Sequence, residues 1–343
     1  MRRTRSAWGR LCCAAAVLAA AMLAGVAAGA ASITPADIAG ELVARLPLGA
    51  ESPLNDRELA VLVELRMPRV VLGAVVGGLL ATAGAAYQGV FRNPLADPYL
   101  LGAAGGAGLG ATLVIVYGPT LAVDPGSLIP AAAFAGAILG VAAAYALGSS
   151  AGRGGTAALI LAGVAVSSFL SAAQTLVQMT RIENLQRIYS WLLGGLGRGG
   201  WDDVWMVAPY AAVSVAVLLA CGYLLDLLAM GDEKATSLGL NATGVRLLVI
   251  SAASLATAAA VSVSGLIGFV GIVVPHIVRR LVGTGYRLIL PMSLVTGAAF
   301  LVLVDISVRT VIAPAELPLG VVTAFLGAPF FLVILRATRN RGT

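Results

Sequence analysis

The 343-residue chain is 59% hydrophobic and 11% charged, with a mean hydropathy of +0.95. That balance excludes an ordinary soluble protein. The apolar residues come in continuous runs rather than alternating, which excludes a β-barrel and leaves spanning helices, whose backbone groups bond within the segment. The net charge of +6 comes from basic residues scattered at the ends of those runs. Without a basic stripe or interleaved aromatics, it does not point to nucleic acid.

Met1 to Arg10 carries four arginines and leads into the apolar run Leu11 to Ala31. The basic start and the Ala28-Gly29-Ala30 ending resemble a signal peptide. The run is longer than a signal core of roughly 7–15 residues, so an uncleaved first span is expected. Ser32 to Leu65 is polar and reads as an extramembrane loop. Arg66 and Arg69 then flank Pro68. The second span runs from Val70 to Val90, about 21 residues and long enough for ~30 Å of hydrocarbon. Gly73 and Gly77 sit four apart on it, as do Gly84 and Gln88, and such a ridge admits a neighbouring helix closely. Pro94 disfavours helix at Asn93, so the span stops at Arg92-Asn93-Pro94.

Pro98 reads as the start of the third span, which carries a second ridge at Gly102, Gly106 and Gly110. Spans four and five are expected over Leu128–Leu147 and Thr156–Met179, on either side of a Gly/Ser loop with Arg153. Thr180 to Asp203 is mixed, and Trp191 and Trp201 read as interfacial. Span six covers Val204–Leu228. Gly231 to Arg246 is the other clearly polar interior segment and holds the only lysine, Lys234. Spans seven to ten are expected over Leu247–Ser264, Gly265–Val282, Leu288–Val311 and Leu317–Arg336.

Ten spans place both termini on one side. Fourteen of the 22 Lys and Arg residues fall on that side, and most acids fall on the other. The positive-inside bias therefore puts both termini in the cytoplasm. The Arg66 end of span two then faces outward, while Asn93-Pro94, Gly231–Arg246 and Arg279–Arg287 face inward. The whole chain, 1–343, reads as one transmembrane domain, with 32–65 outside and 231–246 in the cytoplasm.

Enzymatic chemistry finds no footing. A nucleotide-binding P-loop needs glycine immediately before lysine, and Lys234 follows Glu233. Gly102 to Gly110 is glycine-rich but lies within a span, where a packing ridge is the better reading than a phosphate cradle. Cys12, Cys13 and Cys221 show neither disulfide nor metal spacing and read as inert. His276, the only histidine, has no ligand partners nearby and reads as a helix-end residue with a structural or contact role. Asp305 and Arg309 are one turn apart inside a span. They form either a functional ionisable pair or a self-satisfied structural one. No catalytic residue and no metal ligand is assigned. Gly231 to Arg246 is short, mixed in charge and partly amphipathic, and fits a docking element for a cytoplasmic partner.

Together these segments resemble the membrane subunit of the iron-siderophore, haem and cobalamin family of ABC importers, the FecCD-type permeases or type II importers. The first signature runs from Arg66-Met-Pro-Arg69 through Gln88 and Arg92-Asn-Pro-Leu-Ala-Asp-Pro98 to Leu101-Gly102. Leu161-Ala-Gly163, Trp191, Gly194-Gly195 and Trp201 follow. The C-terminal signature comprises Gly265-Leu-Ile-Gly-Phe-Val-Gly271, Pro275-His276, Arg287, Leu290-Pro291, Asp305, Arg309, Glu316-Leu-Pro-Leu-Gly320, Thr323 and Gly327-Ala-Pro329.

The resemblance implies an all-α polytopic fold of about ten transmembrane helices in the cytoplasmic (inner) membrane of a bacterium. It implies a homodimer, two ABC ATPase subunits below and a periplasmic or lipid-anchored substrate-binding protein above. ATP and Mg are used by the partner ATPase, and this chain binds no cofactor. Arg66, Arg69 and Arg309 are implied to receive acidic residues of the binding protein. The cytoplasmic gate maps to Asn93, Leu95, Thr156 and Ala157; a small hydroxyl is usual at the last position, so Ala157 is a departure. ATPase coupling maps to Gly231, Leu238, Gly239 and Leu240. Transport would be alternating access driven by another chain's ATP, with a metal chelate as cargo. The rival is a stand-alone ion-coupled secondary transporter, which needs intramembrane acids or broken helices.

Overall fold

A computed structural model describes residues 2–29, 33–44, 52–121, 125–150, 155–197 and 199–339. Arg153, placed above in the Gly/Ser loop, lies outside them. The described residues form helices and turns and contain no strand. Ten helices take up the expected spans. They are α1 (Arg2–Ala27), α4 (Met67–Phe91), α5 (Ala103–Tyr117), α6 (Pro125–Ser150), α7 (Gly155–Thr180), α9 (Trp201–Ala220), α12 (Ala242–Ser264), α13 (Val270–Val282), α14 (Tyr286–Thr310) and α15 (Leu319–Arg339). The shorter α2 (Pro35–Ala44), α3 (Asp56–Ala60), α8 (Leu185–Leu192), α10 (Gly222–Ala229) and α11 (Asp232–Ser237) extend or join them. Among the described residues, seven helices are long and apolar enough to cross a membrane, and the apolar α5 falls short of that length.

The chain folds around α4. Apolar all round, it is buried on nearly every face, against α14, α12, α13 and α9. Lipid is as apolar as leucine, so close packing rather than water exclusion holds such helices together. The glycine ridges supply that closeness. A methyl group on Gly77 would stand 2.3 Å from the Gly297 carbonyl oxygen of α14, and one on Gly84 would stand 2.0 Å from that of Gly271 in α13. The second ridge works the same way. Gly106 and Gly136 face each other's carbonyls across α5 and α6, where a methyl would sit 2.0 or 2.1 Å from oxygen. The outer helices α1, α7 and α9 expose large apolar side chains such as Leu161, Phe169 and Trp205, each about 70% accessible, as a lipid-facing layer must.

Four expectations need correction. Residues 32–65 are not simply a loop, because α2 lies there and α3 runs through a π-helical turn (Val61–Arg66) straight into α4. Asn55 and Glu58 form a capping box that starts this helix well before the apolar run. Pro98 does not open a helix. Residues 92–102 form a tight turn, and α5 begins only after Gly102, whose φ of 90° is left-handed. Span six is two helices, broken at buried Cys221, and Gly222 beyond the break lies against the backbone of Arg287. Trp191 is buried rather than interfacial, because amphipathic α8 turns Ile188 and Trp191 into the core.

Candidate functional site

The bundle has two polar ends, and a cleft opens beside the upper one. At one end, called upper here, Arg69 stands in the first turn of α4, and Asp305 and Arg309 stand near the end of α14. These two helices run antiparallel, so the three side chains meet. Arg69 donates from Nε and Nη2 to Asp305 Oδ1 at 3.0 and 2.8 Å. Its Nη1 and Nη2 also grip Glu316 through both carboxylate oxygens, at 2.7 and 2.9 Å. Such bidentate, charge-assisted pairing is the strong form of the contact. Arg309 Nε lies 3.0 Å from Asp305 Oδ2 as an ion pair. Its other two nitrogens donate to the carbonyls of Ala28 and Gly25. Arg66 Nη1 donates to the carbonyls of Val26 and Ala27. These are the carbonyls a helix end leaves without partners, so two cations cap the C-terminus of α1.

The three arginines expected to reach outward are thus gathered at one end, but they are committed within the chain. Only 11% of the Arg69 side chain and 8% of Arg309 are accessible, against 46% of Glu316. The exposed charge of the cluster is the carboxylate. Its hydrogen bonds from Arg69 hold Glu316 below the usual carboxylate range, against a smaller push upward from burial.

Below this cluster the chain between α12 and α13 is not helical. Gly265 (φ 66°) ends α12, and Phe269 (φ 67°), one of two left-handed non-glycine residues among the described residues, opens the short α13. The expected eighth span is therefore a half-span. Irregular backbone at membrane depth persists where protein or a cavity satisfies it. Here the Tyr99 hydroxyl both donates to the Ile267 carbonyl and accepts from its amide, each at 3.2 Å. Gly195 donates to the Ser264 carbonyl at 2.8 Å. A cleft of about 750 Å³ opens beside this segment, lined by Gln186, Ser190, Trp191, Ser262, Ser264 and Glu316 among others. An apolar hollow of about 600 Å³, lined by Leu192, Leu266, Val321 and Phe325, adjoins it.

At the lower end, α4 closes on Arg92. Asn93 N–H donates to the Gln88 carbonyl, a Schellman closure with Arg92 left-handed (φ 50°) where glycine is usual. Asn93 Oδ1 accepts from the Leu95 amide, and Asp97 Oδ1 accepts from that of Tyr99. The turn thereby holds itself rigid, with Ala96 buried and Leu95 projecting at 46% accessible. Half-buried Thr156 and exposed Ala157 begin α7. Gly163 of α7 lies so close to the Leu100 carbonyl that a methyl would stand 2.1 Å away, so the turn and α7 pack backbone against backbone. Buried Gln88 donates to the Gly271 carbonyl and accepts from Arg279, tying α4 to α13.

The segment expected to couple to an ATPase lies at this same end, where Asp232 pairs with Arg92. Gly231 (φ 107°) precedes α11, Ala235 anchors its inner face, and Leu238 is 61% exposed. Gly239 (φ 83°) turns the chain toward half-buried Leu240 and α12. Two features escaped sequence reasoning. The unwound 265–269 segment was signalled only by the glycines at 265, 268 and 271. The pairing of Asp232 with Arg92 and Arg246 had no local signal.

Comparison with known proteins agrees with this architecture. The FecCD transport family model matches residues 17–337. An uncharacterized ABC transporter permease protein of Bacillus subtilis, YvrB, is 40% identical over 84% of this chain and 81% of its own. The cobalamin import system permease protein BtuC of Halobacterium salinarum is 42% identical over 79% of this chain and 72% of its own. A solved inward-facing ABC transporter, assigned to the metal-chelate type, superposes with a TM-score of 0.83 at 28% identity, covering 96% of this chain and 99% of that one. With the family pattern spanning nearly its full length, this multi-pass membrane chain belongs to the FecCD transport family.

Proposed function

We propose that the chain is the permease subunit of an ATP-driven ABC importer that carries a metal chelate (a ferric siderophore, haem or cobalamin) into the cytoplasm. It works as a homodimer in the cytoplasmic membrane, with both termini and the lower end inside. Two ATPase subunits engage α11 and supply the ATP and Mg chemistry, and a substrate-binding protein delivers cargo to the upper end. The chain itself holds no nucleotide or resident metal.

One observation carries this reading: the exposed Leu238–Gly239 corner and the rigid Asn93–Leu95 turn share one end, where an external motor could push on a gate. The gate comprises Asn93 and Leu95 with Thr156 and Ala157 at the start of α7. Family membership and the agreement with a metal-chelate type transporter support it. At the upper end, Arg66, Arg69 and Arg309 serve docking by fixing the surface around Glu316, and an acidic partner reaches Arg69 by displacing that carboxylate. Asp305 would be the proton or ion site of a stand-alone carrier, but its pairing with Arg69 and Arg309 supports the importer instead.

The test is Gly239→Val in the assembled transporter. Nothing lies within 4 Å of a methyl there, so only the left-handed backbone and the coupling surface are disturbed. ATP hydrolysis should continue while uptake falls. Normal uptake per ATP would sink the assignment of this corner, and uphill transport by the chain alone would sink the importer reading.

A further inference from the structure

The geometry points to Arg92 as a positioning residue that transmits movement of α11 to the 92–102 turn, through an ion triad with Asp232 and Arg246. This rests on the importer reading and deepens it.

Three elements otherwise separate in the chain converge on one carboxylate. Arg92 ends α4, Asp232 opens α11 and Arg246 lies in the first turns of α12. Arg92 Nη2 donates to Asp232 Oδ1. Arg246 Nη2 donates to both oxygens of the same carboxylate at 3.0 Å. Asp232 is therefore the point at which a push on α11 reaches two spanning helices. Arg246 is the better-buried partner, 16% accessible against 39% for Arg92, so it anchors Asp232 to α12 while Arg92 is the member free to follow.

The backbone gives the second, independent observation. Arg92 occupies a left-handed C-cap that glycine fills without cost. A β-carbon at φ 50° is strained, and such strain persists where the surroundings require a particular side chain. The next residue, Asn93, fixes the Leu95 amide through its own side chain. Displacement of the Arg92 guanidinium therefore passes through one peptide unit to the projecting Leu95. An exposed ion pair does little for stability, which fits a part whose work is transmission.

That distinction makes the inference testable. The permease, with its native cysteines replaced and an environment-sensitive fluorophore at Leu95→Cys, is assembled with its ATPase in phosphatidylethanolamine–phosphatidylglycerol vesicles. Fluorescence change on adding ATP and vanadate is recorded beside thermal unfolding. Arg92→Gly relieves the backbone strain and removes the guanidinium. It should unfold no earlier than the parent chain, yet lose about fivefold in ATP-driven response, the low end of ordinary allosteric coupling. Arg92→Lys should retain most of the response. The exchange Arg92→Glu, Asp232→Arg and Arg246→Glu, which reverses every charge of the triad, should recover response that Arg92→Glu alone loses. A full response in Arg92→Gly overturns the transmission role, as does earlier unfolding together with no recovery in the exchange. A parent chain that does not hold the ATPase overturns the importer reading, and this inference with it.

Discussion

Asp305→Asn tests how the upper end is built, because it removes one charge and almost no volume. Asp305 is 2% accessible and serves two arginines whose side chains are 11% and 8% accessible. Two guanidinium groups and two carboxylates make the cluster of Arg69, Arg309, Asp305 and Glu316 neutral. The amide leaves one buried positive charge uncompensated. Removing one partner of a buried pair costs about 3–5 kcal/mol, largely the penalty of the stranded charge. At roughly 2 °C per kcal/mol for a chain this large, the unfolding midpoint should fall on the order of 6–10 °C. The assay is thermal unfolding of detergent-solubilised protein, followed by loss of the monodisperse size-exclusion peak. Adding Arg309→Gln restores neutrality, so the double variant should recover part of the loss. A single variant as stable as the parent, or a double variant showing the sum of two separate losses, would refute the coupled cluster.

Gly106→Val should weaken α5 against α6, since its β-carbon would lie 2.0 Å from the Gly136 carbonyl oxygen. Overpacking of this kind costs about 1–3 kcal/mol or more, read as a lowered unfolding midpoint. The Arg69–Glu316 contact should weaken in acid. Glu316 titrates below its ordinary value of 4.5 in the folded chain. A depressed carboxylate lends stability that is fully present above the ordinary value and is lost as pH falls through the folded one. Glu316→Gln should therefore flatten the decline of the unfolding midpoint below about pH 4.5, and an unaltered slope would count against the pairing.

Sequence alone determined the class and most of the helices. A spanning helix must satisfy its own backbone in lipid, so its length and apolarity are written locally, and α4, α6, α7, α12 and α14 fall close to where hydropathy puts them. The glycine ridges were legible for the same reason, since i, i+4 spacing fixes a face without any tertiary knowledge. Tertiary structure alone decided what meets what. Arg69 and Glu316 lie 247 residues apart, Arg92 and Asp232 lie 140 apart, and Tyr99 and Ile267 lie 168 apart. No local rule assigns such partners. An arginine at the end of an apolar run looks outward-facing in sequence, whereas folding brings an acid or an unpaired helix carbonyl within its reach, and burying it against them costs less than leaving either group without a partner.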